Sequence, residues 1–373
     1  MRYFNIVLSA SLMLLFCILS VAPAMAVDDT FSASRIAPGP DGNVYAAASN
    51  VSEGNCIFVF APDGTLAKTL DRPAVDLAFD EAGNLYVLER MSEKRSPHTI
   101  FNITRIDENG NATLLWSNVN QSDLAVVEMA VSPCGVVYFS TLYVVQTQSG
   151  QAGDSVHFWE IDAIDANGTL RVISAKNTTM PSEGFDSLAV DRNGTIYTAG
   201  VSNRINVIAP DGTTRTIGKL GSANGTFNGV FDIAIGMDGF LYVVESGNRR
   251  IQKLTTDGAF VAKWNGCGPD PFIGHISPAI DENGRVYVAD LDNRRIVWFT
   301  PDYTYGTDEN ENMKGRGVTW GTIYAGTNYT TQLLERQFEE LQNESEPTPT
   351  PGFAAFVALI GIGLGAALYC LRK

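Results

Sequence analysis

The sequence predicts an all-β fold: a six-bladed β-propeller, set between an N-terminal signal peptide and a C-terminal single transmembrane helix. Three observations predict it. A unit of four short β-forming segments recurs six times along the 373 residues. A tyrosine holds the same place in every copy, and Asp-Gly or Asn-Gly turns separate the segments. Self-similarity with a period of 40 to 60 residues is the mark of a propeller or a solenoid.

The clearest copies are DSLAVDRNGTIYTAGVSNRINVIAPDGTTRTI from Asp186, DIAIGMDGFLYVVESGNRRIQKLTTDGAFVAKW from Asp232 and SPAIDENGRVYVADLDNRRIVWFTPD from Ser277. Three earlier copies are degenerate: RIAPGPDGNVYAAASN with CIFVFAPDGTLAKTL, DLAFDEAGNLYVLER with IFNITRIDENGNATLLW, and EMAVSPCGVVYFSTLYVV with FWEIDAIDANGTLRVI. The marker tyrosines are Tyr45, Tyr86, Tyr138, Tyr197, Tyr242 and Tyr287, spaced 41, 52, 59, 45 and 45 residues apart. Those spacings suit four-stranded blades, and the two long ones need polar insertions, at 91–99 and 146–156.

Within a unit, a short apolar strand meets a turn whose glycine accepts positive φ, at Gly42, Gly83, Gly194, Gly239 or Gly284. A strand of β-formers around the tyrosine follows, then a third strand, then a second glycine turn at Gly64, Gly110, Gly168, Gly212 or Gly258. An isolated meander of this kind leaves edges and apolar faces bare, and six around an axis cover them. The last unit lacks an outer strand. The stretch VTWGTIYA, the N-terminal DDTFSAS, or a combination of both is expected to close the ring.

The ends read differently. Residues 1–26 open with Arg2, run apolar, and finish on Ala24-Met25-Ala26, the pattern of a cleaved secretory signal. The propeller is expected over 27–326, and a short helix with a Thr/Pro-rich stalk over 327–350, where Leu334, Phe338 and Leu341 share a helical face. Within 351–373, the 19 residues from Phe353 to Leu371 carry no charge, and Arg372 and Lys373 follow. At 1.5 Å per residue that is about 28 Å, a bilayer's apolar thickness, and the basic tail assigns the rest of the chain to the outside.

The net charge is −15. Without Arg2, Arg372 and Lys373 the remainder holds 23 basic against 41 acidic residues, a surface that repels nucleic acid and anionic lipid. Cys56, Cys134 and Cys267 lie outside the terminal segments; three thiols allow at most one internal disulfide, and none has metal-thiolate spacing. Ten Asn-x-Ser/Thr sites are glycosylation candidates: Asn50, Asn102, Asn111, Asn120, Asn167, Asn177, Asn193, Asn224, Asn328 and Asn343.

The pieces LAVDRNGTIYTAG with NRINVIAPDG, IAIGMDGFLYVVE with NRRIQKLTTDG, and IDENGRVYVAD with NRRIVWFTPD resemble the NHL repeat family. The resemblance runs from about Arg35 to Asp302, and the first three units carry only its glycine turns and tyrosine strands. It implies a propeller. Members include protein-binding scaffolds, and similar propellers include sugar-lactone hydrolases and amidating lyases. Pro351, Gly352 and Phe353, between a Thr/Pro tract and an apolar helix with a basic tail, resemble an archaeal PGF-type surface-sorting signal. That likeness implies cleavage near the tripeptide and transfer to a lipid by a membrane transpeptidase.

Chemistry is sparse. The three histidines are His98, His157 and His275, and no nucleophile elbow or calcium-hand loop is present. Arg249, Arg250, Arg294 and Arg295 belong to repeat turns and are expected to brace them against Glu245, Asp290 and Asp292. The residues opening the first strands are Arg35, Asp76, Glu128, Ser187, Asp232 and Ser277. Asp76, Glu128 and Asp232 are the candidate metal ligands, since three carboxylates at a channel mouth suit Ca2+ or another divalent cation. The leading reading is a non-catalytic propeller anchored at the cell surface, binding an envelope protein or glycan. The alternative is a metal-dependent, lactonase-like hydrolase or lyase at the channel mouth.

Overall fold

The computed structural model describes residues 32–325, apart from the stretches 51–53, 93–98, 120–123, 147–154, 179–183, 201–202, 268–269, 273–274 and 301–319. The expected signal peptide, stalk helix, sorting motif and membrane helix lie outside the described residues, as do His98, Asn120, Asn328 and Asn343. Among the described residues there is no α-helix, and none is long and apolar enough to cross a membrane.

The segment Phe31–Ala325 forms one compact unit of six four-stranded antiparallel sheets. The first blade holds β1 (Ser32–Pro38), β2 (Val44–Asn50), β3 (Gly54–Phe60) and β4 (Leu66–Leu70). The second holds β5 (Ala74–Phe79), β6 (Leu85–Ser92), β7 (Thr99–Ile106) and β8 (Ala112–Ser117). The third holds β9 (Leu124–Val131), β10 (Val137–Gln146), β11 (Ser155–Ile164) and β12 (Leu170–Thr178). The fourth is shorter, with β13 (Ser187–Val190), β14 (Ile196–Ala199), β15 (Ile205–Ile208) and β16 (Thr214–Ile217). The fifth holds β17 (Val230–Ile235), β18 (Leu241–Glu245), β19 (Arg250–Leu254) and β20 (Phe260–Trp264). A small ribbon, β21 (Gly266–Cys267) and β22 (Asp270–Pro271), leads to the sixth: β23 (Ile276–Ile280), β24 (Val286–Asp290), β25 (Arg295–Phe299) and β26 (Trp320–Ala325).

The innermost strands touch in turn, β1 with β5, β5 with β9, β9 with β13, β13 with β17 and β17 with β23, and β23 returns to β1. The ring is therefore closed. Of the closures the sequence offered, it is the one through VTWGTIYA, not the combination with the N-terminal segment. β26 alone completes the sixth sheet, pairing with β25 from Phe299↔Trp320 to Arg295↔Ala325. The N-terminal segment enters the first blade as its innermost strand, because β2 offers β1 a full partner from Ser49 to Val44. Each blade is thus one continuous stretch of chain.

The tyrosines explain the repeat. Five of the six share an apolar cluster with residues of the next blade: Tyr45 with Leu77 and Val87, Tyr86 with Met129 and Phe139, Tyr138 with Leu188 and Ile196, Tyr197 with Ile233 and Val243, and Tyr242 with Val286 and Phe299. Opposite every tyrosine on the innermost strand stands an alanine (Ala37, Ala78, Ala130, Ala189, Ala234 and Ala279), small enough to leave room for the ring. The phenols of Tyr45, Tyr86 and Tyr242 donate to Asp41, Asp80 and Asp238 of their own first turns at 3.0, 3.0 and 2.9 Å. Burial first, then these carboxylates, pushes Tyr45 and Tyr86 up to about 12, so both stay neutral donors.

Antiparallel order sorts the connections. First-to-second and third-to-fourth turns open on one face, here the turn face. Second-to-third hairpins and the crossings between blades open on the other, the hairpin face. Gly135 (φ 81°), in a Pro-Cys-Gly turn, fills the one first-turn place that the sequence pattern did not reveal.

Candidate functional site

The six positions opening the innermost strands come together at the hairpin-face mouth of the ring. Register places them: Arg35, Asp76, Glu128, Ser187, Asp232 and Ser277 pair with Ala47, Leu88, Ser140, Ala199, Val244 and Ala289, each two residues beyond its blade's tyrosine. In the four blades with a charged residue here, the strand bulges just before it, so the pairing skips Ser34, Val75, Val127 and Phe231. Serine-bearing β13 and β23 run without a bulge. A bulge re-aims the side chain that follows.

The charged four form one cluster. The Arg35 guanidinium reaches Glu128 through Nη2, Asp232 Oδ2 through Nη1 at 3.6 Å and Asp76 Oδ1 through Nε at 4.0 Å. Its side chain is 20% exposed, while the three acids are buried. Backbone amides of Leu77 and Met129 donate to Asp76 at 2.8 and 2.9 Å, and that of Ile233 to Asp232 at 2.8 Å. Ser187 Oγ donates to Asp232 Oδ1 at 3.3 Å. Four blades are thereby joined through one arginine.

Three carboxyls against one guanidinium leave a surplus of negative charge in a dry place. Burial raises Asp76 to about 6, with Arg35 and the two amides pulling it back only in part. Burial likewise holds Glu128 well above the usual carboxylate range, against the pull of Arg35 and with a push from Asp232 and Asp76. Burial works against the charge of Arg35, but Glu128, Asp232 and Asp76 outweigh it and keep the guanidinium charged.

This arrangement does not fit a metal centre. The carboxylates meant for a cation converge, but Arg35 is the cation between them. No group of three His, Cys, Asp or Glu among the described residues is placed to hold a metal ion. The sequence put Arg35 in the same series as the acids, and its opposite charge was the available signal that it pairs with them.

The bracing arginines lie farther out. Arg250 donates from Nε to Glu245 at 2.6 Å and Arg295 to Asp290 at 2.7 Å, all four buried. Asp292 accepts from the His275 amide at 3.3 Å. Arg250 also donates to the carbonyls of Ser222, Ala223 and Thr226, and Gln252 binds Gly225 and Thr226, so the crossing at 218–229 is fixed to the fifth blade. Gln252 carried no sequence signal for this role.

Around the mouth the hairpins are unequal. β10 and β11 pair from Val137↔Ile164 out to Gln146↔Ser155, and β6 and β7 from Leu85↔Ile106 out to Ser92↔Thr99. β14 and β15 pair only from Ile196↔Ile208 to Thr198↔Asn206. The outer part of the third-blade hairpin carries Tyr143, Val144, Val145 and Phe158, each more than a third exposed, and Met91 on the second is equally open. Tyr143 and Phe158 face each other across the strands, ring centres 6.3 Å apart. His157 sits beside them with Nε2 3.1 Å from Ser155 Oγ.

No protein-family model matches the chain, and no curated protein matches it in sequence. Solved structures do match in fold. A gluconolactonase from Xanthomonas campestris has a TM-score of 0.50 at 15% identity, covering 73% of this chain and 86% of that one. Virginiamycin B lyase from Staphylococcus aureus gives 0.48 at 15%, covering 79% and 93%. The calcium-binding protein regucalcin from Agrobacterium tumefaciens gives 0.46 at 16%, covering 70% and 84%. At these identities the likeness is one of architecture, and the chain is an all-β, six-bladed propeller.

Proposed function

We propose that this chain is an exported propeller, held at the outer surface of the membrane by its C-terminal segment, that binds an envelope protein or glycan through its hairpin face. One observation carries the reading: the second- and third-blade hairpins extend beyond the others and expose Met91, Tyr143, Val144, Val145 and Phe158 on one face. Burying an exposed side chain of this size is worth about 1.5–3 kcal/mol, and apolar side chains gathered on neighbouring hairpins suit a contact surface. The channel mouth supports the same reading. Its carboxylates are spent on Arg35, so the ring centre serves as a structural clasp. In this proposal the tripeptide Pro351-Gly352-Phe353 is where a sorting transpeptidase exchanges the apolar tail for a lipid.

The alternative, a metal-dependent hydrolase or lyase, would require Arg35 to leave all three acids. To test the leading reading, a photo-reactive phenylalanine analogue is placed at Tyr143, or at Asn283 on the turn face, in the full chain within its own envelope. A discrete cross-linked product from position 143 alone is expected. Equal labelling from both positions, or none from 143, would refute the assignment of the face.

A further inference from the structure

Two Asn-Gly-Thr sequences stand in turns on the turn face. Asp165-Ala166-Asn167-Gly168-Thr169 and Asp191-Arg192-Asn193-Gly194-Thr195 fold into the same turn. In each, the aspartate side chain accepts from the asparagine amide (2.9 and 2.8 Å) and from the threonine amide (2.9 and 2.8 Å). The glycine amide returns to the aspartate carbonyl at 2.9 and 3.0 Å, with Gly168 and Gly194 at φ 80°. Aspartate therefore closes the turn, and the asparagine side chain takes no part in it. Asn167 and Asn193 are exposed, and their side-chain amides make no hydrogen bond among the described residues. A Cβ at Gly168 would meet nothing within 4 Å, and one at Gly194 would make only ordinary contact, with Tyr138 Oη at 3.6 Å and Pro210 at 3.8 Å.

The other candidates differ. Asn102 lies half-buried in β7, paired with both Glu89 and Ser117. Asn111 Nδ2 is held by Asp107 at 2.9 Å, and Asn224 Oδ1 accepts from Lys263 at 3.1 Å. Asn177 projects from β12 rather than from a turn.

We propose that Asn167 and Asn193 carry N-linked glycans, which coat the turn face of the third and fourth blades and leave the hairpin face as the contact surface. The inference rests on the export reading. In the transfer, Asn Nδ2 forms a C–N bond to the anomeric carbon of an oligosaccharide activated on a lipid phosphate. The anomeric C–O bond breaks, the lipid phosphate leaves with the electron pair, and an amide proton is lost.

The molecule contains its own control. Asp107-Glu108-Asn109-Gly110-Asn111 makes the same turn on the second blade, with Asp107 accepting from Asn109 and Asn111 amides at 3.0 and 2.8 Å, but Asn109 lacks a hydroxyl residue two places on. Asn111→Thr supplies it. The test is glycopeptide mass spectrometry on the full chain from its own cells, wild-type and N111T, with the N-terminus sequenced to establish export. The expected result is one glycan mass on Asn167, one on Asn193, none on Asn102, and a new one on Asn109 in N111T. Bare Asn167 and Asn193 in a chain that begins at Val27 overturn the proposal while export stands. A chain that still begins at Met1 overturns both. A bare Asn109 in N111T beside occupied Asn167 and Asn193 removes turn geometry as the determinant.

Discussion

Arg35→Met is the most informative change in the ring. It keeps a long apolar stem and removes the one cation between Asp76, Glu128 and Asp232. Removing one partner of a buried ion pair costs about 3–5 kcal/mol, because the charge left behind has lost both water and its partner. The loss should depend on pH. Asp76 is already raised from its ordinary 3.8 to about 6, so the folded state holds its proton more tightly than the unfolded chain does. Stability from this group is present below the unfolded value and is lost as pH rises through about 6. The difference of roughly two units corresponds to about 3 kcal/mol as an upper bound. Glu128 acts in the same direction. Without Arg35 the acids lose their attraction and rise further, so protonation rescues the variant at low pH. The assay is urea unfolding of the detergent-solubilised full chain at pH 5 and pH 8, followed by the fluorescence of buried Trp159 and Trp264. The variant should lose several kcal/mol at pH 8 and distinctly less at pH 5. A loss below about 1 kcal/mol, or one equal at both pH values, refutes the clasp.

The metal assignment is checked by the metal content of the full chain after calcium supply and exhaustive dialysis, beside the triple variant Asp76→Asn, Glu128→Gln, Asp232→Asn. No stoichiometric metal is expected in either; a bound ion lost only in the triple variant would restore the hydrolase reading. Ring closure is checked by two glycines. Gly64 has φ 85° and a Cβ there would lie 2.4 Å from the Ile323 carbonyl oxygen of β26, whereas Gly110 has φ 82° and nothing within 4 Å. Gly110→Ala should cost about 1–2 kcal/mol for its left-handed backbone alone, and Gly64→Ala clearly more because β26 must move. Equal shifts in thermal unfolding would contradict contact between first and sixth blades at that turn.

The fold was legible because its signals are local. A positive-φ glycine, a tyrosine and an apolar strand identify a blade without knowledge of any other blade. Residues that act between blades were only half legible. The series from Arg35 to Ser277 could be read as equivalent positions, since equivalence is a matter of register. Which of them touch depends on the bulges that skip Ser34, Val75, Val127 and Phe231, and nothing in the local pattern announces those. Closure stayed open among alternatives, VTWGTIYA among them, for a related reason. β26 is separated from β25 by residues 300–319, and strand pairing across such an interval leaves no periodic trace.

In the fifth and sixth blades the same acid–arginine pairs close the hairpins early. Glu245 and Asp290 stand three residues beyond their tyrosines and bind Arg250 and Arg295 directly across the hairpin. That pair sits at the first residues after the turn, where Arg249 and Arg294 adopt φ 52° and 51°, so the strands end there. Glu89 holds the equivalent place in the second blade, but its base is Arg72, at 2.7 Å, from the crossing between blades, with Thr104 as its cross-hairpin donor at 2.8 Å. The acid is satisfied from outside the hairpin, and β6 and β7 run on to Ser92↔Thr99. In the third blade the place is taken by Thr141, an uncharged residue, and the pair extends farthest. The blades that lost the Asn-Arg turn are the ones that look degenerate as sequence. They are also the ones free to lengthen and to carry exposed aromatic side chains, so the departure from the repeat marks the half of the ring proposed to meet a partner.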